Sequence, residues 1–131
     1  APALESVAAA VHDAGSKAIV HCCAREVPFG LLAKVGFDGV GVDLDQIDAP
    51  AYDALAGLLE SKALVHLGVV ATHGPVPDAK QVAARVERFL DVLGLEPTPG
   101  LVLAPACGLA GRSPAEARAT LDLVSRAAKA L

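Results

Sequence analysis

The sequence predicts an α/β protein built from parallel βα units, as in half of a (β/α)8 barrel. Short apolar runs alternate four times with segments that carry helix signals along the 131 residues. The runs are apolar on both faces, which is typical of parallel strands covered by helices. No Gly-x-Gly-x-x-Gly motif follows the first run, which disfavours a dinucleotide-binding domain. Four βα units are half of a barrel of roughly 250 residues.

The first 42 residues contain two predicted helices and two predicted strands. A helix over residues 2–14 has proline near its start and glycine just past its end, as helix termini often do. Residues 18–22 are a short apolar run bounded by turn residues and predict a buried strand. A short helix over residues 28–35 ends at Gly36, and residues 39–42 predict the second strand.

The next part of the chain, residues 50–93, contains a helix, a strand, a turn-rich loop and a second helix. Residues 50–61 predict a helix, and residues 63–70 predict a third strand that is again almost wholly apolar. The loop over residues 71–77 contains two prolines and a glycine. Asp78 follows it and is a favourable N-cap for a helix over residues 79–93.

The last unit begins after a Thr-Pro-Gly break and contains the fourth strand. Residues 101–104 predict this strand, and residues 105–112 predict the loop that follows it. Ser113 then stands three residues before Glu116, the spacing of a capping box, with proline between them at the first helical position. We expect a helix over residues 114–131.

Composition excludes several classes of protein and indicates a partner. Hydrophobic residues make up 53% of the chain without counting glycine, against about 45–50% with glycine in a typical domain. This excess predicts pairing with a second copy or with a missing piece of chain. A net charge of −4 without a basic run disfavours nucleic acid binding. The apolar runs are too short to span a membrane, and without a signal-peptide pattern we expect a cytoplasmic protein.

The sulfur-containing residues are unusual. Three cysteines, an odd number, disfavour a disulfide framework and favour metal or thiol chemistry. The chain contains no methionine, even at position 1. We therefore expect that the start was removed or that residues 1–131 are a single fragment of a longer protein.

Three candidate metal ligands follow the predicted strands. His21 and Cys23 lie two residues apart at the end of the first strand, so their side chains point to the same side. Cys107 follows the last strand, and all strand carboxyl ends of a barrel lie on one face. Two thiolates and one imidazole favour zinc and leave a fourth position open, as in a catalytic site. From spacing alone, buried cysteines and a core histidine remain an equal alternative.

Four segments carry a resemblance to a known family. They are HCCA at residues 21–24, FDGVGVD at 37–43, LGVVATHGPVP at 67–77 and APACGL at 104–109. In order, spacing and flanking strands they resemble the C-terminal half of the cobalamin-independent methionine synthase family. The resemblance covers nearly the whole chain. It implies that the chain is the C-terminal half of a TIM barrel.

The resemblance also implies roles for individual residues. The family's His-x-Cys and Cys-Gly zinc motifs correspond to His21, Cys23 and Cys107, and its glutamate ligand corresponds to Asp43. Asp43 is one methylene shorter than glutamate, so a place behind the direct ligands stays open for it, and Asp45 is a second candidate for the ligand position. The family's loop histidine, which assists proton movement at the methyl donor, corresponds to His73. Two residues before this histidine, where the family has aspartate, the chain carries alanine.

The activity implied by the resemblance is zinc-dependent methyl transfer from 5-methyltetrahydrofolate to the thiol of homocysteine, which gives methionine. The residues also fit alkyl transfer to another thiol, transfer from a methyl-corrinoid, or a metal-binding half-barrel without catalysis. The family's amino-acid-binding motifs precede the matched half and do not occur in this chain. We therefore expect the fragment to be inactive alone and to associate with a second copy or with its own N-terminal barrel half.

Overall fold

Helices and parallel strands alternate along residues 2–131, the part of the chain that the computed structural model describes. In chain order the elements are α1 (Pro2–Asp13), β1 (Ile19–Cys22), α2 (Phe29–Val35), β2 (Gly39–Asp43), α3 (Ala49–Glu60), β3 (Leu64–Val70), α4 (Ala79–Leu93), β4 (Leu101–Pro105) and α5 (Pro114–Ala128). Each predicted helix and strand is confirmed, with ends that differ by at most three residues. The longest helices have 15 residues, and within residues 2–131 none is long and apolar enough to cross a membrane.

The sheet has the strand order β1-β2-β3-β4, and every neighbouring pair is parallel. Each strand thus lies beside the strand that follows it in the chain, with a helix between them. A doubly wound nucleotide-binding sheet would instead reverse its strand order at a switch point. Consecutive parallel βα units are the arrangement of a (β/α)8 barrel wall. The predicted α/β fold, half of a TIM barrel, is confirmed.

The two faces of the sheet differ in character. On one face, His21, Gly41, His66 and Val102 lie side by side in register across all four strands. Val102 is 37% exposed, and His66 is only half-buried. We call this face the open face. The residues that alternate with these point the other way and pack against the helices.

The helix-covered face forms the main hydrophobic core. Its strand residues are joined there by apolar side chains of α2 to α5, and each buried valine or leucine contributes about 1.5–3 kcal/mol. The most deeply buried members are Leu55, Val65, Leu67, Val82 and Val86. The core therefore fixes the sheet from one side only, and the strand ends remain accessible for a site.

The caps of α4 and α5 fix the ends of the loops in front of them. Asp78 accepts a hydrogen bond from the backbone N–H of Gln81, whose side chain accepts one from Asp78 N–H in return. Ser113 and Glu116 form the same reciprocal capping box, as the sequence predicts. The final helix ends at Ala128, so the prediction that it continues to residue 131 is wrong. The two capped loops contain His73 and Cys107.

Candidate metal centre

The candidate metal centre lies where the outer strands end. β1 ends at Cys22 and β4 at Pro105, so Cys23 and Cys107 both follow the carboxyl end of a strand. His21 is the last but one residue of β1. All three candidate ligands are exposed. Because carboxyl ends of parallel strands meet at one edge of a sheet, the fold brings these side chains to the same edge.

The approach of Cys23 and Cys107 requires a curved sheet. β1 and β4 are the outer strands, yet the two Sγ atoms lie 3.9 Å apart. In a flat sheet, three strand spacings would separate these strands by about 14 Å, more than two cysteine side chains can bridge. The sheet therefore curves as a barrel wall does, and the chain after β4 turns back over it.

Gly68 is the place where the chain after β4 crosses the sheet. A Cβ on Gly68 would lie 2.6 Å from Cα of Ala106 and 2.8 Å from the carbonyl oxygen of Val42. Both are backbone atoms, so no side chain fits between them. Ala106 also donates its N–H to the carbonyl oxygen of Val70 over 2.9 Å. This close contact places Cys107, the next residue, within reach of the ligands from β1.

The spacing of the three side chains fits zinc. One ligand atom from each of His21, Cys23 and Cys107 lies within 4.8 Å of the other two. A tetrahedral zinc with Zn–S bonds of about 2.3 Å separates two sulfur ligands by about 3.8 Å. The Sγ–Sγ distance of 3.9 Å is close to that value. Donor type and spacing therefore both suit zinc, and three protein ligands leave a fourth position open.

Cys107 affects the protonation of the Cys23 thiol. Cys107 raises the pKa of the Cys23 thiol above its ordinary value, first through the hydrogen bond between the thiols and then through repulsion between their charges. The Cys23 thiol therefore holds its proton more strongly than an isolated cysteine when no metal is bound. Because only the thiolate is a metal ligand, binding of a metal would release protons from this pair.

His21 lies over a glycine of the neighbouring strand. A Cβ on Gly41 would lie 2.9 Å from Nδ1 of His21, closer than side-chain atoms normally approach. The missing side chain therefore leaves space for the imidazole on the open face. His66, on the other side of Gly41, is 3.6 Å from the same position through its Cβ. The structure does not bring His66 into the group of possible ligands.

Asp43 and Asp45 have hydrogen-bond partners of their own. The Asp43 carboxylate accepts the N–H of Asp45 over 2.9 Å and caps a one-turn 3-10 helix, Leu44–Gln46, which the sequence analysis did not predict. The Asp45 carboxylate pairs with Arg85, which also donates to the carbonyl oxygen of Val69 over 3.1 Å. Neither aspartate belongs to the group of His21 and the two cysteines. A direct zinc bond from Asp43 stays a prediction.

His73 lies in the loop between β3 and α4 and is exposed. It precedes Gly74, whose φ of +77° is a left-handed conformation that glycine adopts readily, within a bend of the chain. The loop is held from the side by Arg112, whose Nη2 donates to the carbonyl oxygens of Ala71 over 3.4 Å and Gly74 over 3.1 Å. His73 is not part of the group of possible metal ligands.

The sequence analysis did not single out Gly41, Gly68 or Arg112. The two glycines stand inside predicted strands, where glycine is unfavourable unless another group approaches closely. This rule could have been used to predict a close approach at Gly41 and at Gly68. Arg112 gave no comparable signal, because its partners are backbone carbonyls whose positions depend on the conformation of another loop.

The His/Cys cluster lies at the strand carboxyl ends of a parallel βα sheet, the face on which (β/α)8 barrels have their active sites. Residues 3–130 match the family described as "Cobalamin-independent synthase, Catalytic domain". The chain therefore belongs to the cobalamin-independent methionine synthase family, as the resemblance indicated. The family transfers methyl groups to homocysteine and is generally zinc-dependent. No curated protein matches the chain.

Proposed function

We propose that this chain is the zinc-binding C-terminal half of a barrel that transfers a methyl group from 5-methyltetrahydrofolate to homocysteine, giving methionine. The observation that carries the proposal is the meeting of His21, Cys23 and Cys107 within 4.8 Å at the carboxyl ends of the outer strands. Membership of the methionine synthase family, which is generally zinc-dependent, supports a role for this cluster in binding the metal.

His21, Cys23 and Cys107 are the residues that would hold zinc. When bound, zinc supplies a Lewis acid that lowers the pKa of a coordinated thiol, so that its thiolate is available near neutral pH. The exposure of all three side chains leaves room for a substrate thiol beside them. Asp43, on the adjacent strand, is the further ligand that the resemblance implies.

His73 would handle the proton at the methyl donor. Its imidazole is exposed on a loop at the same edge of the sheet as the cysteines. Imidazole can donate or accept a proton near neutral pH, which suits a group that protonates the nitrogen of the donor as the methyl group leaves. In this role His73 contacts the donor and not the metal.

The remaining part of the active site would come from other strands. A barrel active site uses the loops after many of its eight strands, and residues 2–131 contain four such strands. We propose that the open face is completed by an N-terminal barrel half or by a second copy of this chain. The isolated chain is then expected to show little or no methyl transfer.

The first test is the zinc content of protein purified without a chelator. We expect about one zinc ion for each chain, and a large loss of zinc in Cys107→Ser. Cys22→Ser is the matched control, because Cys22 precedes a ligand but alternates to the helix-covered side of β1. Unchanged zinc in Cys107→Ser would rule out this ligand set.

A second test distinguishes homocysteine from other thiols. Protein loaded with Co²⁺ in place of zinc absorbs light through its sulfur ligands, so an added thiol that coordinates the metal changes the spectrum. Because the family's amino-acid-binding motifs lie in the N-terminal barrel half, we expect homocysteine to produce this change at lower concentration than 2-mercaptoethanesulfonate only in protein that also contains that half. The reverse order would favour the alternative, alkyl transfer to another thiol.

A further inference from the structure

Arg112 connects the two loops that contain His73 and Cys107. It lies in the loop after β4, five residues beyond Cys107, and its side chain reaches the loop after β3. One nitrogen, Nη2, donates to the carbonyl oxygen of Gly74 over 3.1 Å and to that of Ala71 over 3.4 Å. These carbonyl groups lie on either side of His73 in the sequence. The guanidinium therefore holds a four-residue segment at both of its ends.

The backbone of each loop is fixed near these contacts. Arg112 donates its own N–H to the carbonyl oxygen of Leu109 over 2.9 Å, which closes a turn behind Cys107. At the base of the loops, Ala106 donates to the carbonyl oxygen of Val70 over 2.9 Å. The loops are thus joined at their base by backbone and further out by the Arg112 side chain.

The Arg112 side chain is inserted between the loops and is not a free surface charge. Its Nε is buried and has no hydrogen-bond partner among residues 2–131. A buried donor without a partner is unfavourable, so other contacts must keep the guanidinium in place. Residue 71, the first residue of the segment, is alanine, whose side chain cannot form hydrogen bonds. Arg112 therefore contacts this residue through its backbone carbonyl oxygen. Arginine can reach both acceptors from one nitrogen because Nη2 carries two N–H donors.

We propose that Arg112 is the positioning residue for His73, holding the segment 71–74 in a fixed place relative to the loop of Cys107. This assignment rests on the proposed function for the importance of His73, but the contacts themselves do not depend on it. Loss of the guanidinium would free the His73 loop while leaving the backbone contacts of Ala106 and the strands intact. His73 would then sample many orientations relative to the metal centre.

The test is NMR relaxation of the zinc-loaded chain, with backbone order parameters as the readout. We expect the His73 amide to be near the rigid value of about 0.85 in the parent and below about 0.6 in Arg112→Gln. Arg112→Lys should give partial rescue, since one ammonium can still reach a carbonyl. Arg118→Gln, an exposed arginine on α5, is the matched control and should change nothing. A mobile His73 in the parent would overturn the proposal even if Arg112→Gln fails to fold.

A spectroscopic signature separates positioning from general stabilisation. Co²⁺ bound at the cysteines shifts the resonances of nearby nuclei by an amount that depends on their place relative to the metal. We expect large shifts for His73 in the parent and averaged, smaller shifts in Arg112→Gln, with unchanged metal content and unchanged shifts in β1. Equal His73 shifts in both proteins would overturn the role of Arg112. Failure to bind Co²⁺ or zinc would instead contradict the proposed function, and the order parameters would still decide the role of Arg112.

Discussion

Gly68 and Gly41 differ in what an added side chain would meet. At Gly68 the neighbours are backbone atoms of Ala106 and Val42, which cannot move without displacing the chain after β4. At Gly41 the neighbour is the ring of His21, an exposed side chain that can rotate away. A methyl group at Gly68 therefore disturbs the fold, whereas one at Gly41 disturbs mainly the metal centre.

Gly41→Ala is predicted to weaken zinc binding with little effect on folding. The new methyl group would displace the His21 ring, and loss of ligand orientation typically lowers metal affinity about 10- to 100-fold. Titration against a chelator measures this affinity. Gly57→Ala on α3 is the control, because its added methyl group meets open space. It should leave zinc affinity unchanged and raise the free energy of unfolding by about 0.5–1 kcal/mol. Equal affinity in Gly41→Ala and the parent would contradict the placement of His21.

Residue type and predicted strand positions placed His21, Cys23 and Cys107 at the same edge of the sheet, because a parallel sheet has all its carboxyl ends at one edge. The crossing at Gly68 could not be derived in this way, since it depends on the curvature of the sheet. The two hydrogen bonds from Nη2 of Arg112 could not be derived either, because the acceptors are carbonyl groups of a loop more than 35 residues earlier in the chain.

At the scale of elements, Asp38 is the residue that joins α1 to the sheet. Its carboxylate accepts the backbone N–H of Ala18, just before β1, over 2.7 Å and contacts Nε2 of His12 on α1 over 2.8 Å. The apolar contacts of α1 form a small cluster around Ala8, separate from the main core. The docking of α1 therefore depends more on this polar contact than the docking of other helices does. Helix caps were predictable because they are local, whereas the contact between residues 12 and 38 is not.

Asp38 is predicted to make the stability of the chain depend on acid pH. The contact with His12, and after it the Ala18 N–H, holds the pKa of the Asp38 carboxyl below its ordinary value. The ionised carboxylate therefore stabilises the fold above the pKa of the unfolded chain, and this contribution is lost as pH falls through the lower pKa of the folded chain. Asp38→Asn should unfold at lower urea concentration than the parent at pH 7.

The difference in the urea midpoint of unfolding between Asp38→Asn and the parent should shrink from about pH 4 downward, since Asp38 of the parent then loses its negative charge. Urea unfolding followed by circular dichroism at several pH values measures it. Asp53→Asn, at an exposed position on α3, is the control and should follow the parent. A difference that stays constant between pH 7 and pH 2 would contradict the role of the Asp38 charge.

At the scale of the whole molecule, the sheet is covered on one face and open on the other. Within residues 2–131, β1 and β4 have no strand on their outer sides, and the open face carries His21, His66 and Val102. Unpaired strand edges present backbone donors and acceptors to any strand that approaches. The sheet is curved, as the approach of Cys23 to Cys107 shows. The same curvature would let the edges of β1 and β4 pair with the edge strands of a second half-barrel.

The chain is therefore predicted to associate in solution. Light scattering at micromolar concentration should give a mass of at least twice the 13.2 kDa of the chain. Val102→Lys places a charge on the open face of the edge strand β4 and should shift the mass toward the monomer, because a buried ammonium without a partner is unfavourable. Val92→Lys is the matched control, since Val92 is 68% exposed on α4 and lies away from the sheet. A stable, monodisperse monomer of the parent chain would show that the open face needs no partner, and equal masses for both lysine variants would place the contact elsewhere.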